Sequence, residues 1–188
     1  MMTIYLTLIV TVKLDMALHN TDLRAAYLTA SIEPGIEMFV EAPPSISLPE
    51  GWGLKVYKTL YGSKQGARRL DVHKEVQLTT AGFIRSSAEP SLYFLPSDSE
   101  YGLVLMSTVV DDFLICCRDE HMGAIKDKLS VIWTITDHGP AEWFINLKLS
   151  RGRRSGILKL DQTAYAELKA REFGLQNDVA QYFHCLLR

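Results

Sequence analysis

Asp111 and Asp112 stand side by side inside an otherwise apolar stretch, with Leu103 to Val110 before them and Phe113 to Cys117 after. Two adjacent carboxylates buried without partners would each cost on the order of several kcal/mol. The pair must therefore reach water or a cation. A hairpin turn would put it in water, but two-residue hairpin loops favour Asn-Gly or Asp-Gly because positive φ is needed, and Asp-Asp offers no glycine. An apolar hairpin with acids at its apex also suits a divalent cation, since hard ions such as Mg²⁺ take one or two carboxylates together with substrate phosphates. Spacing alone leans slightly to the plain turn.

Asp22 is a third candidate, in Asn20-Thr21-Asp22-Leu23-Arg24-Ala25-Ala26-Tyr27-Leu28. By itself it reads equally as a helix N-cap. Lys64, Arg68 and Arg69 form one basic cluster and Arg151, Arg153 and Arg154 another, the second on a turn where solvation explains it. Cys116, Cys117 and Cys185 make neither a disulfide framework nor a zinc site, and the histidines at 19, 73, 121, 138 and 184 lack ligand spacing.

The elements that must position these residues follow from periodicity. Leu14 to Tyr27 reads as an extended segment entering a helix, with Asp22 at the join. Strand-like alternation marks Ile36 to Val40 and Leu54 to Tyr61. Lys64 to Thr80 is a helix candidate with apolar Leu70, Val72, Val76 and Leu78, closing at Gly82. Leu92 to Leu95 is a short strand, and Leu103–Val110 with Phe113–Cys117 forms a hairpin. Asp119 to Trp133 is an amphipathic helix through Met122, Ile125, Leu129 and Ile132. Trp143 to Leu149 and Gly156 to Leu160 read as strands around the arginine turn, and Asp161 caps a last helix, Gln162 to Phe173. Tight strand-turn-strand pairs point to antiparallel pairing, hence α+β.

The chain has 188 residues, 47% hydrophobic and 22% charged, with net charge −2. Those figures suit one globular domain and exclude collagen, coiled coil and wholesale disorder. Near-neutrality excludes a general electrostatic grip on nucleic acid, leaving local basic patches for any polyanion. Met1 to Val12 is apolar but interrupted by threonines. It falls short of the roughly 20 residues of a membrane span and lacks the flanks of a signal peptide. It reads as the buried end of a helix or strand, and a reducing, intracellular setting is the default.

Taken together in order, the motifs resemble the reverse transcriptases of copia-type LTR retrotransposons. The Asp22 stretch is similar to that family's first catalytic motif, close to Asp-Val-Lys-Thr-Ala-Phe-Leu. Ile36-Glu37-Met38-Phe39-Val40-Glu41-Ala42-Pro43-Pro44 resembles its Met-and-Pro segment. Leu60-Tyr61-Gly62-Ser63-Lys64-Gln65-Gly66-Ala67-Arg68 is similar to its LYGLKQAPR box. Val109-Val110-Asp111-Asp112 stands where it carries Tyr-Val-Asp-Asp. Asp137 to Leu149 and Gly156 to Gln162 follow its later run, so the likeness extends over roughly residues 12 to 175.

The resemblance implies an RNA-directed DNA polymerase using two Mg²⁺ ions, with Mn²⁺ able to substitute. Asp22, Asp111 and Asp112 would be its catalytic, metal-binding residues. Tyr27 would close under the incoming sugar, and Lys64, Gln65, Gly66 and Arg68 would line the nucleotide and template pocket. The implied fold is a palm-like antiparallel sheet with helices packed on one face, fingers and thumb largely missing. Residues 1–175 would be a truncated reverse transcriptase and 176–188 a divergent tail. Implied partners are primed RNA or DNA template, deoxynucleoside triphosphates and the rest of the polyprotein, integrase and ribonuclease H included, with no membrane. The implied setting is a cytoplasmic virus-like particle with a nuclear phase.

The sequence departs from that pattern at Val109 for tyrosine, Ser63 for leucine, Leu70 for tryptophan and Asn146 for glycine. The basic fingers segment expected upstream, and the thumb and ribonuclease H region expected downstream, are not among these residues. The alternative expectation is therefore a catalytically inactive retroelement remnant that at most binds nucleic acid or a partner.

Overall fold

Apolar alternation, turn chemistry and one threonine-rich helix build the elements in turn. The computed structural model describes residues 2–175; the expected tail over 176–188, with Cys185, lies outside them except as sequence. Along the chain come helix α1 (Met2–Lys13), strand β1 (Ala17–Leu23), the single turn α2 (Ala26–Thr29), β2 (Met38–Val40) and β3 (Leu54–Val56). Next are α3 (Gly66–Thr80), β4 (Ile84–Arg85), β5 (Leu92–Leu95), β6 (Val104–Val109), β7 (Asp112–Cys117), α4 (Asp119–Ile132) and β8 (Ile135–Pro140). Contacts divide the chain after Ala141. The second unit holds the antiparallel strands β9 (Trp143–Phe144), β10 (Leu147–Gly152) and β11 (Ile157–Asp161), followed by α5 (Thr163–Glu172). There Asp161 Oδ1 accepts the Thr163 N–H at 2.7 Å, but Asp161 ends β11 and the N-cap position falls on Gln162, one residue later than expected.

In the first unit a six-stranded antiparallel sheet runs β4-β5-β6-β7-β1-β8, and β2 with β3 makes a separate ribbon. The α+β class with antiparallel sheets therefore holds. Helices on one face only does not. Phe113, Ile115 and Cys117 of β7 enter a core with Leu70 and Leu78 of α3 and Met122, Ile125 and Leu129 of α4. The alternate β7 residue Cys116 accepts a hydrogen bond from Thr11 of α1, on the opposite face. Burial of both faces is why β6 and β7 read as nearly unbroken apolar runs rather than as alternation. The adjacent cysteines thus face opposite sides, and burial pushes the Cys117 thiol up to about 12, far from reactive.

Helix α1 buries three threonines alongside Ile4 and Leu8 and leaves other apolar residues outside. Thr3, Ile4, Thr7, Leu8 and Thr11 are buried, whereas Met2, Tyr5, Leu6 and Ile9 are exposed. The buried hydroxyls find partners: Thr7 Oγ1 lies 2.7 Å from Ser107 Oγ and Thr3 Oγ1 2.8 Å from Ser91 Oγ. Thr11 Oγ1 donates to the Thr7 carbonyl at 2.8 Å and to Cys116 Sγ at 3.0 Å. Hydropathy could not reveal this, because the partners of the threonines lie about a hundred residues away.

Helix α3 departs from its expected stripe as well. Gly66, Leu70, Lys74 and Leu78 are buried at four-residue spacing, while Val72 and Val76 face solvent. The hairpin is also shifted by a residue. Val109 pairs with Asp112, so the two-residue loop is Val110-Asp111 and Asp112 opens β7. Val110, not a glycine, carries the positive φ of 54°.

Thr7→Val, which hydropathy favours, should destabilise the chain by about 1–2 kcal/mol by leaving the Ser107 hydroxyl under-satisfied. Ile9→Lys on the exposed side should leave the melting temperature within about 1 °C and reduce self-association. Calorimetry and sedimentation of the two variants check both outcomes.

Candidate functional site

Backbone pairing brings the three acids to one end of the sheet. Asp22 lies near the end of β1 directly across from Asp112 at the start of β7, so their side chains share a face. Asp111 sits in the loop one residue before, and its carbonyl oxygen accepts the Leu23 N–H at 2.9 Å. That bond ties the loop to the residue next to Asp22. Asp22 was expected at a strand–helix join; it is inside the strand, with the turn α2 starting only at Ala26.

Electrostatics register the crowding. Burial, reinforced by the Asp111 charge, raises the Asp22 carboxyl above the ordinary 3.8. Burial raises Asp112 too, with repulsion from Asp111 and Asp22 added. The positive influence of His138 works against both shifts, and Arg24 against that of Asp22. Among the described residues no three His, Cys, Asp or Glu side chains form a ready metal cluster. The chemistry of the donors nevertheless fits a hard divalent cation, being all carboxylate oxygen with two members raised by burial and by their neighbours' charge.

Around the acids stand two tyrosines. Tyr61 Oη donates to Asp111 Oδ2 at 3.2 Å, and the Asp111 charge, ahead of burial, holds its phenol above the ordinary range. Its ring lies 4.3 Å from that of Tyr27, which is half-buried against the core. Gly66 lies against the Tyr27 ring: a Cβ there would sit 2.5 Å from Ser63 Oγ and 3.0 Å from that ring, so a side chain would have to displace them. Lys64, Gln65 and Arg68 are solvent-exposed at the start of α3. Arg69 is engaged elsewhere, its Nε donating to the Ser31 carbonyl at 3.1 Å. Arg153 and Arg154 are exposed on the β10–β11 turn, in the other unit.

Tyr61, His138 and Lys74 were not among the residues singled out in the sequence. Tyr61 lay within a recognised box, immediately before Gly62. Lys74 could have been noticed as a charge at the centre of the 66-70-74-78 stripe. His138 carries no sequence signal, since only the β1–β8 pairing delivers it.

A family model described as reverse transcriptase (RNA-dependent DNA polymerase) matches residues 1–186. The retrovirus-related Pol polyprotein from transposon TNT 1-94 of Nicotiana tabacum is 28% identical over 167 residues, 87% of this chain and 12% of that protein. The corresponding polyprotein from transposon RE1 of Arabidopsis thaliana is 27% identical over 137 residues, 71% of this chain and 9% of its own length. A transposon Ty5-1 protein of Saccharomyces cerevisiae is 24% identical over 139 residues, 72% of this chain and 44% of its own. The chain thus spans less than half the length of each of these relatives. No solved structure matches at a significant level.

Raised carboxyl values have a definite sign in stability. A group whose folded value exceeds its unfolded one binds more protons when folded, so its cost appears as pH rises above 3.8 through the folded value. At neutral pH without divalent metal, Asp22→Asn or Asp112→Asn should therefore raise the melting temperature by about 1–3 °C. The gain should shrink toward pH 4. Asp137, held below its ordinary value chiefly by the hydrogen bond from Lys126 against the opposing pull of burial, behaves oppositely. Asp137→Asn should lower the melting temperature at neutral pH in the same assay.

Proposed function

Because the chain belongs to the reverse transcriptase (RNA-dependent DNA polymerase) family, we propose that it carries the nucleotidyl-transfer site of a copia-type retrotransposon polymerase, built on Asp22, Asp111 and Asp112. One observation carries this reading: the β1–β7 register sets Asp22 across from Asp112, with Asp111 in the adjoining loop. Asp22 and Asp111 would be the principal ligands for two Mg²⁺ ions, with Asp112 in support. When bound, such ions activate the primer 3′-hydroxyl and stabilise charge on the reacting phosphate and departing pyrophosphate.

The chain's own residues do the positioning. The Tyr27 ring, given room by the missing side chain of Gly66 and packed against Tyr61, is the floor on which a deoxyribose would fit and a 2′-hydroxyl would collide. Lys64, Gln65 and Arg68, free in solvent, meet template and nucleotide, Lys64 and Arg68 giving phosphate contacts that orient a strand without reading its sequence. The palm-like domain is assigned to residues 1–175, acting on primed template and deoxynucleoside triphosphates within a Pol polyprotein. The second reading, an inactive remnant, is favoured by Val109 and Asn146, which replace the tyrosine and glycine of the resembled pattern.

Titration of the full chain with Mn²⁺, followed by its electron spin resonance, should give saturable binding that Asp111→Asn weakens by about tenfold or more. Primer extension, however slow, should fall about 100-fold or more with that substitution. Metal binding without extension would select the remnant, and extension indifferent to Asp111→Asn would refute the residue assignment.

A further inference from the structure

Lys74 is the one charged side chain among the described buried residues, with 3% of its surface exposed. It occupies the core stripe of α3 between Leu70 and Leu78, where an apolar side chain would pack without desolvating an ammonium. Its Nζ donates to the Val110 carbonyl oxygen at 2.7 Å. Val110 is the first residue of the β6–β7 loop and takes φ 54°, a left-handed conformation that a β-branched side chain disfavours. Asp111 follows it.

We propose that Lys74 is a positioning residue: its buried ammonium holds the strained Val110 carbonyl and so fixes the loop from which Asp111 is presented. The loop is then gripped at both of its carbonyls. Lys74 of α3 takes that of Val110, and the Leu23 N–H of β1 takes that of Asp111. One grip refers the loop to the helix carrying the Gln65 segment, the other to the strand carrying Asp22. Without the first, Val110 relaxes toward negative φ and swings Asp111 out of line. This inference rests on reading Asp111 as a metal ligand only for its functional consequence; the grip itself involves only the chain's own atoms.

Charge and positioning make opposite forecasts for Lys74→Met, a straight-chain replacement of similar volume. Removing a cation near Asp111 would by Coulomb's law alone tighten divalent-cation binding. Loss of positioning weakens it. In the full chain, Lys74→Met should keep or raise the melting temperature and speed amide exchange at residues 111 and 112 by about tenfold without metal. Mn²⁺ affinity should fall by about tenfold. Lys74→Arg, which keeps the charge and the donors, should stay within about threefold of the parent in both readouts. A Lys74→Met chain that fails to fold, melts well below the parent or exchanges faster throughout the sheet would reduce Lys74 to an ordinary core residue and overturn the proposal. So would unchanged loop exchange, or Mn²⁺ affinity that is equal or tighter. A parent chain that binds no Mn²⁺ would sink the metal-site reading instead, and loop exchange alone would then decide whether Lys74 grips the loop.

Discussion

Two carboxylates, Asp22 and Asp112, are kept side by side by a backbone ladder, with Asp111 in the loop that adjoins it. Residues 17 to 22 of β1 pair with 112 to 117 of β7 in one antiparallel register. A slip of one residue would turn Phe113, Ile115 and Cys117 out of the core and Cys116 into it. Apolar burial thus fixes the register, and the register imposes the electrostatic cost. The raised carboxyls of Asp22 and Asp112 are the local price of a geometry decided by packing.

The two faces of the sheet are secured by different physics. Under α3 and α4 the contacts are apolar, with Leu78, Ile125 and Leu129 fully enclosed. Under α1 a row of threonine hydroxyls meets Ser91 and Ser107, so attachment is directional and sets the helix's register on the sheet. Hydrogen bonds of that kind add little net stability but exclude alternative dockings, since each misplacement leaves a buried hydroxyl unpaired. The apolar side chains so displaced outward, Met2, Tyr5, Leu6 and Ile9, form a patch on the opposite side of the same helix.

Among the described residues, positive φ outside glycine falls at Asp15 between α1 and β1, near the acids, and in the second unit. Val110 at φ 54° adjoins Asp111, and Ala25 at φ 50° ends the stretch that leads from Asp22 to Tyr27. Ile145 and Asn146 make the β9–β10 turn at φ 47° and 60°. Asparagine tolerates that conformation, which is how Asn146 can stand where the resembled pattern has glycine; isoleucine tolerates it poorly. Strained loops of this sort persist only where neighbours over-determine them. For Val110 the neighbours are Lys74 and the Leu23 amide's hold on Asp111.

Much was legible in the chain itself. The Asp111-Asp112 interruption, the amphipathic Asp119 helix and the ordered motifs from Asp22 to Gln162 depend on residue type at short range, so composition and periodicity expose them. The α+β class followed from the same signals, whereas the reverse transcriptase family came from the resemblance of the ordered motifs to that family's pattern, which the family model over residues 1–186 bears out. What only the tertiary structure decided are the choices between distant partners. The sheet determines that α1 buries its threonines rather than its leucine and isoleucine at positions 6 and 9, and that helices cover both faces. Pairing across roughly ninety residues sets Asp22 opposite Asp112 rather than at a helix cap. Folding of α3 against the hairpin gives Lys74 a carbonyl to hold and Tyr61 a carboxylate to meet. Local propensity carries no information about such partners, because their energies exist only after the chain has closed the intervening loops.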